Sequence, residues 1–418
     1  MLHFIRRFLD PDSVGWPQFI AAGLLLAYAL QCAWLVWVET AHGSLPDSAH
    51  DLCIFHGLEQ FRGGSIAGTT DMQRSDSATP MPSTNRAPHP RLHDGYDQDR
   101  SPLYYLTCAA PFLLKPAALR TESQLGQLWA TAPYLFFGVM LGGSLWYVSR
   151  RLYGNAGGYI ALTLYCFSPG TIVGVAGAPS SGEMGAVWGA FGSVFTAIAV
   201  AHTLYAPREV ILWNARRIAL LSLSLALIVG NQFSLVPLVP LALLLMFWVA
   251  PVRPRAVIVI WCTAVACATV LLLAAYVFRL EIFWQSLVHA RWIDFHPAAF
   301  AMPTAYLHTL TTLMAASPAL ILALPTALLG FFSWKRARYF GNTAPLAIAL
   351  LLFVLTIASP DFPGQGVQIT LLVFLFVFVA GVLADLMETR RSLLVTATVF
   401  GLLSAAAFRN LLQVVFLR

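Results

Sequence analysis

Apolar runs of about 17 to 28 residues recur along this chain with one long polar interruption, and that pattern dictates what the chain can fold into. A hydrocarbon core about 30 Å thick takes about 20 apolar residues per helix, and about eleven segments qualify. They are 17–38, 128–149, 155–175, 184–204, 216–232, 234–251, 256–277, 305–332, 343–360, 365–386 and 392–410. The runs are continuous in Leu, Ala, Val and Phe and do not alternate, which points to helices and away from a β-barrel. With 58% hydrophobic and 11% charged residues and a mean hydropathy of +0.71, the composition is far from that of a soluble protein. The expectation is an all-α, polytopic membrane helical bundle of about eleven spans, forming a single integral-membrane domain over residues 1–418. Residues 39–127 form a large first outer loop with juxtamembrane helices.

The net charge of +6 raises the question of a nucleic-acid partner, but the basic residues sit in short clusters between spans. Topology explains them, so the partner expected from composition is the lipid bilayer and not nucleic acid. The clusters are Arg6/Arg7, Arg150/Arg151, Arg208/Arg216/Arg217, Arg253/Arg255, Lys335/Arg336/Arg338 and Arg390/Arg391. All fall on one side if residues 102–118 do not cross. That segment has only about a dozen central apolar residues and carries Pro111 and Pro116, as befits a re-entrant or interfacial helix. The N-terminus is then cytoplasmic, and the polar island and most acidic residues face outward. Arg6 and Arg7 before the first span, without a small-residue cleavage site, read as a retained signal anchor. No Asn-x-Ser/Thr sequon lies in the large loop, which favours a bacterial inner membrane over the endoplasmic reticulum.

Within the island, residues 49–62 place Ile54, Phe55, Leu58 and Phe61 on one arc of a helical wheel, the mark of an amphipathic interfacial helix. Asp51 stands at its start, where a carboxylate either caps the helix or serves as a catalytic acid at the water–bilayer boundary. Residues 63–94 are rich in Gly, Ser, Thr, Pro, Arg and Asp and cannot bury a core. Asp97 and Asp99 form a short acidic pair that is a weak match to a metal-binding motif, and no metal is assigned. No Cys/His spacing resembles a zinc site, and no nucleotide or Ser-His-Asp pattern is present. The stretch 278–292 mixes aromatic and basic residues like a second interfacial helix, with Arg279, Arg291 and His289 as cationic candidates or snorkelling anchors.

These residues also carry a family resemblance. Asp-Leu-Cys-Ile-Phe-His (51–56), Gly-Gly (63–64), Tyr-Asp-Gln-Asp-Arg-Ser-Pro-Leu-Tyr-Tyr (96–105), Ala-Pro-Phe-Leu-Leu (110–114), Leu-Trp (128–129) and Arg-Arg-Leu-Tyr-Gly (150–154) follow one another in order. The order resembles the opening of polyprenyl-phosphate-sugar-dependent GT-C glycosyltransferases, and is most similar to glycosyltransferase family 87, the mannosyltransferase-like group. Phe-Ser-Pro (167–169) and Ala-Ser-Pro (358–360) are later parallels.

The resemblance implies a GT-C-like fold and transfer of a sugar, mannose or a related one, from a polyprenyl-phosphate donor to a glycan, lipid or protein acceptor on the outer face. It implies Asp51 as general base, with Asp47 as the competing position, and no cofactor. Arg100, Arg279, Arg291 and His289 are the expected partners of the lipid phosphate, with Glu183, Asp97 and Asp99 near the substrate. Two departures stand out. The family's polar stretch near the second outer loop is Ser-Gly-Glu-Met-Gly-Ala here, and the Lys usual between the following spans is replaced around Gly-Asn-Gln-Phe-Ser (230–234). Asn231 and Gln232 either replace it as neutral donors or satisfy a break in the helix. The alternatives are a catalytically inactive scaffold with the same fold and a lipid or solute transporter. The near absence of ionisable residues within the spans argues against ion-coupled transport.

Overall fold

The computed structural model describes residues 15–41, 100–114, 123–176, 184–204, 211–292, 295–359, 365–387 and most of 401–412. The expected interfacial helix at 49–62, the polar loop at 63–94 and the start of the segment at 392–410 lie outside them. Among the described residues the ordered elements are helical and no strand occurs. They are α1 (Trp16–Ala41), α2 (Pro102–Ala109), α3 (Gln124–Cys166), α4 (Pro169–Ala176), α5 (Met184–Thr203), α6 (Ile211–Asn231), α7 (Leu238–Val249), α8 (Pro254–Ala275), α9 (Leu280–His289), α10 (Pro303–Ala316), α11 (Leu320–Ser333), α12 (Phe340–Ala358) and α13 (Gln365–Met387). Helices dominate because a chain in hydrocarbon must pair its backbone N–H and C=O groups within each segment.

Among the described residues six helices are long and apolar enough to cross a membrane, or seven if α10 and α11 count as one bent span. The chain is thus an all-α, multi-pass integral membrane protein, and where the described helices differ from the expected segments the causes are local. Segment 128–149 and the first part of 155–175 draw on one element, α3, whose 43 residues would reach about 65 Å if straight, and the rest of 155–175 is α4. Gly154 interrupts it at φ 73°, ψ −171°, a conformation open essentially to glycine alone. The two arms fold back on each other there, and the Tyr165 hydroxyl donates to the Gly138 carbonyl at 2.8 Å. Segment 234–251 holds a 3-10 turn (Phe233–Leu235) and the 12-residue α7.

Segment 305–332, expected as one span, is instead α10 and α11, bent by 110°. Pro318 has no N–H to continue the helix and disfavours helical dihedrals at Ser317, which sits at φ −144°, ψ 85°. In segment 102–118 the described part is α2, 8 residues or about 12 Å long, followed by a 3-10 turn (Ala110–Leu113), which is shorter than a hydrocarbon core of about 30 Å.

The chain divides into two compact units. The first comprises Met1–Leu45, Tyr134–Gly177 and Asp294–Arg418. Its α13 is buried along nearly its whole length. The Tyr28 hydroxyl of α1 donates to the Thr171 carbonyl at 3.1 Å, and Gln31 Nε2 reaches the Cys166 carbonyl at 3.2 Å. Two Ser-Pro breaks meet where Ser168 Oγ donates to the Ala316 carbonyl at 2.7 Å. At another end of this unit, the Tyr153 hydroxyl donates to the Gly341 carbonyl at 2.5 Å and Asn342 Nδ2 donates to Asp385 Oδ2 at 2.9 Å.

The second unit comprises Pro46–Pro133 and Ala178–Ile293. Here α5 is buried against α6 and α7, while α8 packs on α6 and α2. Small residues permit the close approach: a Cβ on Gly189 would stand 2.7 Å from the Ser224 carbonyl oxygen.

Candidate functional site

The second unit contains a polar break between α6 and α7. Gln232 is extended (φ −156°, ψ 107°), so α6 ends at Asn231 and its last carbonyls lose their helical partners. Ser101 supplies the replacement. Its backbone N–H and its hydroxyl both donate to the Gly230 carbonyl, at 3.1 and 2.7 Å. The same hydroxyl accepts from the Leu103 N–H at 3.2 Å and so caps α2, with Pro102 at the first helical position. One serine therefore closes the end of α6 and the start of α2. Gly230 is required at the crossing, since a Cβ there would stand 2.5 Å from Leu103 Cδ2 and 3.0 Å from Leu272 Cδ2.

Three kinds of chemistry converge on this junction. The Arg100 guanidinium lies 4.1 Å from the centroid of the Tyr104 ring, a cation–π contact that holds the charge beside the start of α2. Asn231 and Gln232 are 1% and 3% exposed. Gln232 Nε2 donates to Ser234 Oγ at 2.6 Å, while Gln232 Oε1 and both amide atoms of Asn231 have no hydrogen-bond partner among the described residues. A buried polar atom left unmatched costs about 1–3 kcal/mol. The third element is aromatic: the Phe233 and Trp292 rings pack with centroids 5.2 Å apart, and the Trp292 indole is pinned by donating to the Leu287 carbonyl at 3.1 Å.

The sequence candidates take different places. Asp47, Asp51, Asp97, Asp99 and Glu183 lie outside the described residues. Arg100 is at the junction. Arg291 is exposed and adjoins Trp292, whose ring reaches Phe233. Arg279 and His289 bracket α9, about 15 Å apart along its axis. Both are exposed, and His289 Nδ1 is 2.9 Å from the Gln285 carbonyl oxygen.

Helix α9 turns Leu280, Trp284 and Val288, spaced four apart, outward on one face. That stripe suits a helix lying at the bilayer interface. It is reached through Val277 and Phe278, both left-handed at φ 55° and 56°, a conformation costly for a β-branched and an aromatic residue. The Tyr276 hydroxyl, 2.5 Å from Ser286 Oγ, fastens α9 back onto the end of α8. Two pieces of the sequence resemblance also meet in this unit, where the Trp129 indole donates to the Pro111 carbonyl at 2.6 Å.

Sequence reasoning missed Ser101, Gly230, Ser234 and the Phe233–Trp292 pair. Ser101-Pro102 before an apolar run is a helix-start signal, but nothing in its local pattern points to Gly230. Among the described residues no group of three or more His, Cys, Asp or Glu side chains is placed to hold a metal ion.

The fold and junction define a multi-pass α-helical membrane protein with a buried polar break capped from a juxtamembrane helix. No protein-family model, curated protein or solved structure matches the chain.

Proposed function

We propose that the protein is a GT-C-type glycosyltransferase that moves a sugar, mannose or a related one, from a polyprenyl-phosphate donor to a glycan, lipid or protein acceptor on the outer face of the membrane. The observation that carries the reading is the junction of Arg100, Ser101 and the Asn231–Ser234 break. A buried, partly unmatched polar seat beside an arginine, inside an otherwise apolar unit, suits a ligand that is polar at one end and lipid at the other. The order of motifs around the first outer loop supports the same class. In this reading eleven spans cross a bacterial inner membrane with the N-terminus in the cytoplasm. The orientation is supported at one end of the first unit, where Tyr153 binds Gly341, bringing the neighbourhoods of Arg150/Arg151 and Lys335/Arg336/Arg338 together as the positive-inside rule requires.

The chemistry is a single inverting displacement. The Asp51 carboxylate takes the proton of the acceptor hydroxyl as that oxygen forms a bond to the anomeric carbon. The bond from the anomeric carbon to the phosphate oxygen breaks, and polyprenyl phosphate leaves with the electron pair. Arg100 and Arg291 neutralise the charge that develops on the leaving phosphate, a task to which guanidinium groups are suited by their paired donors. Asp47 is the alternative base.

Membrane vesicles holding the wild type, or Asp51→Asn at matched expression, would be incubated with radiolabelled polyprenyl-phosphate sugars and a membrane extract as acceptor source. Transfer that vanishes in Asp51→Asn supports the class and the base. Transfer that survives moves the base to Asp47, and absence of transfer from every donor by the wild type refutes the enzyme reading.

A further inference from the structure

We infer that the break between α6 and α7 is the seat of the donor's sugar ring, with Asn231 reading its hydroxyls and the Phe233–Trp292 pair forming its apolar wall. This rests on the lipid-linked-sugar reading above and adds to it the division of labour within the site.

Asn231 decides which part of such a donor belongs here. Its amide is 1% exposed, and neither Nδ2 nor Oδ1 meets a partner among the described residues. Turning the amide over exchanges the two atoms and leaves the same inventory, one acceptor oxygen and one two-proton donor, so the conclusion does not depend on how the amide is assigned. A phosphate diester offers only acceptor oxygens and would leave the amide oxygen unmatched. A polyprenyl chain offers neither donor nor acceptor.

Sugar hydroxyls each donate and accept, and two neighbouring hydroxyls match both sides of one amide. Gln232 adds a further unmatched group on the adjacent residue. Trp292, half-buried and backed by the buried Phe233 ring at a 5.2 Å centroid separation, supplies the apolar surface against which the C–H face of a sugar ring packs. Arg100 remains for the phosphate, held beside α2 by its contact with Tyr104. The bond from Ser101 to the Gly230 carbonyl brings their sequence neighbours Arg100 and Asn231 to one junction, as a phosphate joined directly to a sugar requires.

The test uses the full-length protein in lipid nanodiscs. Affinities would be measured for bare polyprenyl phosphate, for polyprenyl phosphates carrying mannose, glucose, galactose or arabinose, and for a free oligosaccharide. These would be compared for wild type and Asn231→Leu, which keeps four side-chain heavy atoms branched at Cγ and has no amide. The wild type is expected to bind one sugar-bearing lipid about tenfold or more tighter than the bare lipid, the factor that one or two net hydrogen bonds supply. Asn231→Leu is expected to lose that preference while holding bare polyprenyl phosphate as well as the wild type does.

A preference present in the wild type and intact in Asn231→Leu overturns the inference and leaves the transferase reading standing. A loss confined to the free oligosaccharide assigns the break to the acceptor and overturns it too. If no sugar-bearing lipid binds the wild type better than the bare lipid, the donor reading and the inference fall together. Should Asn231→Leu not fold, Gln232→Leu carries the same comparison with the same expected loss.

Discussion

If Asn231 is kept for a ligand, it weakens the ligand-free fold, and replacing it should make the protein more stable. Two of its atoms are buried without a partner among the described residues, and its neighbours Ile228, Phe233 and Leu235 are themselves buried apolar residues. Each unmatched buried polar atom costs about 1–3 kcal/mol, so even the lower figure for two atoms predicts a gain of about 2 kcal/mol for Asn231→Leu. Asn231→Ala removes the same amide but leaves a void, and Leu should therefore exceed Ala in stability. Equilibrium unfolding of the ligand-free protein, by SDS titration in mixed micelles, would compare the three. An Asn231→Leu protein that is less stable than wild type refutes the reasoning: the amide would then be holding the helix break, and no excess of binding capacity would be stored there. The combination expected is higher stability with lower sugar transfer, the usual relation at a functional position.

Other substitutions test the frame of the site and of the first unit. Gly230→Ala should push α2 from α6 through contact with Leu103 and Leu272, lowering stability by about 1–3 kcal/mol in the same unfolding assay and exposing Pro102–Ala109 to protease. Ser101→Ala removes the hydroxyl bond to Gly230 and the cap of α2, with an expected loss of about 1–2 kcal/mol. Gly381→Ala would place a Cβ 2.6 Å from Tyr153 Cζ and against Asn342 Oδ1, at a cost of about 1–3 kcal/mol, whereas Gly23→Ala, with open space at that point, should be neutral or stabilising. Asp51→Asn should reduce sugar transfer by about 10²-fold or more, the scale of a lost general base, with unchanged membrane expression on immunoblots.

Much of the architecture was legible because hydrocarbon leaves a chain few choices. The apolar run lengths determined a helical, multi-pass membrane protein, since each segment must satisfy its own backbone. Pro111, with too few apolar residues around it for a full span, already pointed to the short α2 and the 3-10 turn that follows it. Gly154 lay at the end of the Arg-Arg-Leu-Tyr-Gly turn where the two arms of α3 reverse. Hydropathy did not reveal the break within 305–332, because an average over the run carries no record of the N–H that Pro318 lacks. The 110° bend that follows is stabilised by a distant packing partner, with Gly170 and Ser168 fitted against Ala316.

The site divides in the same way. Asn231 and Gln232 stood out in the sequence as polar residues within an apolar run, and Arg100 as a cation on the outer loop. That Ser101 closes the Gly230 carbonyl from 129 residues away, and that Trp292 meets Phe233, only the tertiary structure decided. Polarity is a property of a residue and can be read along the chain. Whether a polar atom is matched depends on what the fold brings within about 3 Å of it, and hydrogen bonding at that range follows from packing between segments that are far apart in sequence.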